Sequence, residues 1–408
     1  MQFFNVGEHN IIRLESADWN DGLDMAFDRG ESAAFMSCYG GNFFEIADLL
    51  LQFSEVTKSQ EIVVAKEIKI LLDTLSDDNI NYDSVEDKKK HLFDVYFSAV
   101  QPELSGEKVS IKIADVAADL KKKGKWIFEH LRKQEKLLSG EDAWFNGYYD
   151  NKAQRVEGVV DGNVRMTLTG QVFPIMSGAA TQEDVESISK AVKKYLCDPE
   201  SGGFRLNTDF GLTHYLDLGR AFGFAYGTKE NGAVFSHMTV MYAYALYHRG
   251  FVKEGHEVLK SLYLMSMDTE KSKIYPGIPE YFSSEGRGMY HYLTGSASWL
   301  VLTQLTKVFG VRGQGGDLVL SPALVREEFN NEGIASVVCQ FAGKKIAVNY
   351  INIEKLDFGE YVINDVVVGG VPVNYDKQEE CSVRLERVLI EQGDNVVSID
   401  VTLAKKNT

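Results

Sequence analysis

The sequence predicts a mainly α-helical chain with a β module, arranged as an incomplete (α/α)6 toroid over residues 1–311 and a small C-terminal β-sandwich domain over 312–408. Three observations lead there. Amphipathic helical periodicity dominates from about Gly30 to Gly310, long glycine- and aromatic-rich loops separate the helices, and after Val311 the pattern turns to short β-rich runs. A chain of 408 residues also exceeds what one hydrophobic core serves, since cores stop growing beyond roughly 250 to 300 residues.

Apolar residues three and four apart predict helices around Phe43–Leu51 and over Val63–Leu75, then over 86–99, 112–138, 182–195, 236–249, 252–266 and 295–309. Gly250 after His248-Arg249 and Gly310 after Lys307-Val308-Phe309 read as glycine C-caps behind basic last turns. Trp144 to Gly178 and Tyr275 to Leu293 read as long loops, the kind that carries function. Helices in succession with such loops between them suit stacked α/α hairpins around a hollow, though fewer are present than the twelve helices of a closed six-hairpin ring. Gly310 to Gly316 lacks the Gly-Lys-Ser/Thr ending of a phosphate-cradling loop and reads as an interdomain linker. Leu318–Leu320, Val337–Phe341, Ile346–Ile351, Tyr361–Val368 and Val397–Val401 read as strands.

Composition removes several functions. With 43 Lys and Arg against 59 Asp and Glu the formal charge is −16, which repels nucleic acid instead of releasing its counterions. No apolar stretch is long enough for a membrane span, and the first residues carry no secretory core. Cys38, Cys197, Cys339 and Cys381 are far apart, which argues against a zinc site or disulfide framework and suits a reducing cytoplasm. The run Lys121 to Lys125 reads as a solvated helix face.

The chemistry concentrates in Arg13 to Asp24, a glycine-punctuated loop crowded with Asp18, Trp19, Asn20, Asp21 and Asp24. Trp19 offers a flat face for a pyranose ring, Asn20 donors and acceptors, and the carboxylates hydroxyl binding or proton transfer. A capped loop with a core tryptophan reads equally well from these residues. A calcium loop does not, because counting from Asp18 the glycine arrives one place early and Arg29 stands where the bidentate glutamate belongs. No metal is expected.

Asp18-Trp19-Asn20-Asp21-Gly22 followed by Arg29-Gly30-Glu31-Ser32 resembles the catalytic loop of glycoside hydrolase family 94, the cellobiose, chitobiose and 1,2-β-oligoglucan phosphorylases. Met166 to Phe173 (MTLTGQVF), Lys229 to His237 (KENGAVFSH) and Tyr292 to Trp299 (YLTGSASW) resemble further family segments in the same order. The resemblance implies a six-hairpin glycosidase fold, with Asp21 as general acid and Trp19, Asp18 and Asn20 shaping the sugar site. Glu230 and Gln171 are implied as further substrate contacts, and Arg29, His237, Thr294 and Gly295 as phosphate holders. Elementary chemistry gives each holder a reason: a planar guanidinium fork, an imidazole in a first helical turn, and N–H groups opening a helix. Read singly, Thr294 is also an ordinary N-cap, His237 a packed histidine, and Gln171 and Tyr148 hydrogen-bonded core groups.

The implied reaction is the reversible inverting phosphorolysis of β-linked gluco-oligosaccharides to α-glucose 1-phosphate. One carboxylic acid suffices because phosphate is already an anionic nucleophile; it is a substrate, and no cofactor is expected. The Asp21 carboxyl is expected to be raised by burial or by Asp18 and Asp24. The resemblance covers a carboxy-terminal part of the family, so a homodimer or a chain supplying the missing N-terminal half is the expected partner. The alternatives are a non-catalytic sugar-binding remnant or partner-dependent half enzyme, and an inverting toroidal hydrolase pairing Asp21 with Glu280 or Glu285.

Overall fold

The computed structural model describes residues 1–406 apart from 77–79, 212–213, 276, 293 and 394. Its helical part is a series in which helices alternate between a buried and a covering position. Ala33–Thr57 packs on Ile113–Gln134 and on Thr169–Ser177, and Thr169–Ser177 packs in turn on Ser236–His248. Ser236–His248 then packs on Val252–Met267 and on Gly295–Thr303, which runs on as a wider π turn to Val308. Thr169–Ser177 and Ser236–His248 are apolar nearly all round and almost wholly buried, whereas Gln182–Tyr195 and Ile113–Gln134 bury one stripe and keep charge outside.

Most predicted helices are present with ends within a few residues, and Gly250 and Gly310 stand in left-handed backbone at their helix ends. Three expectations change. Val63–Leu75 is not one helix: Glu61–Ala65 is a strand paired antiparallel with Lys108–Lys112, and a four-residue helix and a short turn follow. The β-branched run Ile62-Val63-Val64 faces Val109 to Ile111 across the ladder, and so short an apolar run does not separate the two periodicities. The stretch 144–178 holds short hairpins and the helix Thr169–Ser177, hidden in the sequence by Gly170 and Pro174. Gly310–Gly316 is no linker, because Val311–Gln314 forms a hairpin with Asp317–Leu320 about the Gly315-Gly316 turn.

After Val311 two sheets form. One has the order 311–314, 317–320, 382–385, 376–379; the other has 334–341, 344–351, 396–405, 361–368, 371–372, with a parallel pair between 344–351 and 396–405. Leu318, Leu385, Val348 and Ile399 from the two sheets share one buried cluster with Val172, Met241 and Leu246 of the helices. The hydrophobic core is therefore continuous from the helical series into the β module.

A buried polar knot holds the wall beneath the functional loops. Gln171 accepts from the Phe145 N–H at 2.8 Å, donates to the Phe145 carbonyl at 2.9 Å and donates to Glu157 at 3.2 Å. Glu157 also accepts from Gly147 N–H at 3.1 Å and from the Thr167 hydroxyl at 2.5 Å. Burial pushes the Glu157 carboxyl up to about 8 despite these donors. The folded chain thus keeps a proton that an unfolded glutamate loses near pH ~4.3. Its contribution is fully present below that pH, falls by up to about 1.4 kcal/mol per pH unit as pH rises, and levels off above the folded value. Glu157→Gln should flatten the fall in stability between pH 5 and 8 measured by urea unfolding; an unchanged slope would remove this assignment.

Candidate functional site

The loop before the first long helix is built from two consecutive side-chain turns. Asp18 Oδ1 accepts from the Asn20 N–H at 3.0 Å, and Asn20 Oδ1 accepts from the Gly22 N–H at 2.9 Å. These bonds turn Asp18 and Asn20 inward and leave the Asp21 side chain 86% exposed. Asp18 Oδ2 accepts from the Ser32 hydroxyl at 2.9 Å, and Ser32 Oγ in turn caps the helix Ala33–Thr57 by accepting from Phe35 N–H at 3.0 Å. The Tyr148 hydroxyl lies beside both the Asp18 carboxylate and Thr169, the first residue of the next buried helix. Burial pushes Asp18 up to about 6 against the donors around it, whereas the Asp21 side chain stands in solvent.

The other wall comes from a small three-stranded sheet, in which Tyr281–Phe282 lies between Val234–Phe235 and Gly288–Met289. It delivers His237 to the first turn of Ser236–His248, and the Ser236 N–H donates to the Glu280 carbonyl at 2.8 Å. The Trp19 ring stands edge-on to His237 at 5.3 Å and to Phe235 at 5.7 Å. The imidazole lies so close to Gly295 that a Cβ there would meet its Cε1 at 2.9 Å. Thr294 caps the helix that Gly295 opens, accepting from Ser296 N–H at 3.2 Å. Ser32, Thr169, Ser236 and Thr294 thus mark four helix N-termini joined by contacts through one loop.

Among the described residues, Glu230 Oε2, Ser236 Oγ and His237 Nε2 are buried without a hydrogen-bond partner. Such atoms are costly to bury unless something meets them, and all three sit on the segments that converge here. Burial lowers the His237 imidazole below its usual range, leaving it neutral at neutral pH.

The structure brings Asp18, Trp19, Asn20, Asp21, His237 and Gly295 into one neighbourhood, with Thr294 beside Gly295. Two expected contacts are committed elsewhere. Arg29, expected on phosphate, grips Glu8 through two bonds of 2.6 and 2.8 Å on an exposed surface. Gln171, expected on substrate, is fully buried and spends its amide on Phe145, Thr167 and Glu157.

Arg220 is a site residue that the sequence does not advertise. Its guanidinium bonds Asp24 and stands 4.0 Å from Asp21 Oδ2. No motif surrounds it; the signal is the glycine before it. A Cβ on Gly219 would fall 2.0 Å from the Gly22 carbonyl oxygen and 2.5 Å from Leu23 Cα, and Ala221 N–H donates to that carbonyl at 2.9 Å. The acid loop lies directly on this segment, and two glycines make the approach possible. Burial first, then the charge of Glu230, raises the Glu280 carboxyl; Lys229 opposes this and Asp21 adds to it. Gly219→Ala should push the Asp21 loop away, costing about 1–3 kcal/mol in thermal unfolding and changing Trp19 fluorescence. A variant with native stability and an unshifted tryptophan signal would mean that this contact does not hold the loop.

Residues 114–310 match the family described as the glycosyl hydrolase 94 superfamily, catalytic domain. The chain is 25% identical to a cellobionic acid phosphorylase of Neurospora crassa, covering 41% of this chain and 24% of that protein. It is 26% identical to a cyclic β-(1,2)-glucan synthase of Rhizobium meliloti, over 46% of this chain and 7% of that protein. It is also 25% identical to an N,N'-diacetylchitobiose phosphorylase of Vibrio proteolyticus, over 58% and 30% respectively. These matches span less than a third of the length of each relative. A solved sialidase overlaps with a TM-score of 0.42 at 10% identity, over 67% of this chain and 24% of that one, a likeness too slight to carry an argument. The likeness to the glycosyl hydrolase 94 superfamily is thus carried by residues 114–310, a little under half of the chain.

Proposed function

We propose that this chain supplies the proton-donating and anion-holding part of an inverting glycoside phosphorylase, which converts β-linked gluco-oligosaccharides and inorganic phosphate reversibly into α-glucose 1-phosphate and a shortened sugar. The observation that carries this reading is the neutral His237, with Nε2 buried and unpartnered, packed on the Gly295 helix N-terminus and against Trp19 of the acid loop. Unpaired N–H groups and the dipole of a helix start favour an anion, and an imidazole Nε2–H adds a donor. In this reading Trp19, Asp18, Asn20 and Glu230 shape the sugar site, and His237, Thr294 and Gly295 orient phosphate. Asp21 protonates the departing oxygen while phosphate attacks the anomeric carbon from the opposite face; the glycosidic bond breaks, its electron pair goes to the protonated acceptor oxygen, and the configuration inverts. Arg29 would join the phosphate only by leaving Glu8.

The same reading takes the alternating helices as an incomplete (α/α)6 toroid, residues 1–311 as the catalytic unit and 312–408 as a C-terminal β-sandwich domain that shares its core with the helices. A second reading, a partner-dependent half enzyme, has its own support. Ile46, Leu49, Phe53 and Val56 expose one apolar face of the first long helix, and Val301 and Leu302 are exposed on the last of the helical series. Exposed apolar faces of this kind mark association surfaces; a second copy or a chain supplying further helices would cover them. No helix among the described residues is long and apolar enough to cross a membrane, and the four cysteines are unpaired; a cytoplasmic location is part of this reading.

Incubation with α-glucose 1-phosphate and a panel of glucosyl acceptors should release inorganic phosphate, and Asp21→Asn should lower that rate at least ~100-fold. Undiminished cleavage of oligosaccharide without phosphate would instead support a hydrolase. Sugar binding without turnover, even after partner chains are added, would leave the non-catalytic reading.

A further inference from the structure

We propose that a second ligand site, for a neutral sugar, lies behind the ribbon that anchors the acid loop, in a cavity of about 570 Å³ between His9, Asp83 and the helix Ile113–Gln134. The ribbon is the antiparallel pair of Glu31-Ser32 with Tyr148-Tyr149. Side chains alternate across it, so Ser32 and Tyr148 meet Asp18 while Glu31 and Tyr149 meet His9 on the other face. Glu31 is fully buried there, and its carboxylate accepts from His9 Nδ1 at 2.6 Å and from the His9 and Ile11 N–H groups at 3.1 Å each. A Cβ on Gly7 would fall 2.4 Å from Glu31 Cδ, so the glycine makes room for this carboxylate. The bond to Glu31 commits Nδ1 and leaves His9 Nε2 to the cavity, with the side chain 33% exposed. The imidazole is held flat by Tyr149, whose ring stacks on it at 3.7 Å. His130 Nε2 donates to the His9 carbonyl at 3.1 Å, and the His130 ring stacks on Trp126 at 4.7 Å.

Most charges on the cavity wall are already met. Buried Glu135 accepts from the Tyr149 hydroxyl at 2.9 Å and from the Asn146 amide at 2.8 Å, and Asp83 accepts from Trp126 Nε1 at 2.9 Å. Glu8 holds Arg29, and Arg155 donates to the Tyr149 hydroxyl at 3.1 Å and to the Gln134 carbonyl. His9 Nε2, the Lys133 ammonium and the Gln134 amide have no hydrogen-bond or ion-pair partner among the described residues, and Glu129 has Lys125 at 3.8 Å. One cation and one carboxylate therefore remain, so net charge selects neither an anion nor a cation. What remains is a mixture of donors and acceptors, and a hydroxyl, which is both, meets every member of it. The imidazole Nε2 accepts from a hydroxyl when neutral and donates to one when protonated, so the match holds in either state. The volume lies within the range of small-molecule sites. This site stands independently of the phosphorylase reading, because none of its residues touches the acid loop's other face.

Side-chain nitrogen NMR of the histidines and tryptophans, recorded on the full chain during titration with glucose and with cellobiose, tests this. Both sugars should move the His9 Nε2 and Trp126 Nε1 signals. Lys133→Ala and Gln134→Ala combined, both at exposed positions, should weaken that response at least about tenfold, whereas Trp19→Ala should leave it as it was. Signals unmoved by sugar at high millimolar concentration would overturn the site. So would a native response in the combined variant, or a response lost in Trp19→Ala, which would place the sugar at the acid loop. Glucose 6-phosphate or glucosamine moving the same signals about tenfold more tightly than glucose would overturn the choice of a neutral ligand.

Discussion

The Asp18 carboxylate, held between the Asn20 N–H and the Ser32 hydroxyl, joins the acid loop to the start of the first long helix. A carboxylate taken out of water is expensive unless donors surround it, and here the donors are the loop's own backbone and a helix cap. The same bond that satisfies Asp18 therefore fixes where the loop begins. From that anchor Asn20 makes the next turn, Trp19 meets His237, and Asp21 projects outward beside Arg220.

Around the anchor the helices contribute their polar ends instead of their apolar sides. Each helix start carries a partial positive charge, while several of the first N–H groups are already met: those of Ala33 and Ala34 by the Gly147 carbonyl, that of Ser236 by the Glu280 carbonyl and that of Ser296 by Thr294 Oγ1. Bringing four such ends together favours negative charge in one place, which is what a phosphate nucleophile needs. Glu230 Oε2, buried without a partner, lies on the segment that leads into His237 and is an acceptor that a hydroxyl donor would meet. A glycosidic bond held there would be exposed to phosphate on one face and to a proton donor on the other.

Much of this was legible in the sequence because it is local. Asp18 to Gly22 reads as a turn with carboxylates, and capping glycines and apolar periodicity mark the helices around it. Residues whose roles depend on long-range contacts were not legible. Arg220 reaches Asp24 across 196 positions of sequence, and Gln171 looks like a substrate contact until its amide is found facing Phe145 in the core. Arg29 carries the right fork for phosphate, yet the nearer carboxylate of Glu8 holds it on the surface. The strand Glu61–Ala65 and the helix Thr169–Ser177 were missed for a related reason: short apolar runs and a helix with Gly170 and Pro174 take their form from neighbours, not from periodicity.

The central claim is that an inorganic anion is held where His237 meets the Gly295 helix start, within reach of a sugar stacked by Trp19. The most direct measurement is the position of phosphate, or of vanadate as its analogue, in a crystal of the full chain. The account places its oxygens within hydrogen-bond distance of His237 Nε2 and of the N–H groups that open the Gly295 helix. An anion bound solely at Arg29, or no anion bound at millimolar concentration, would contradict it.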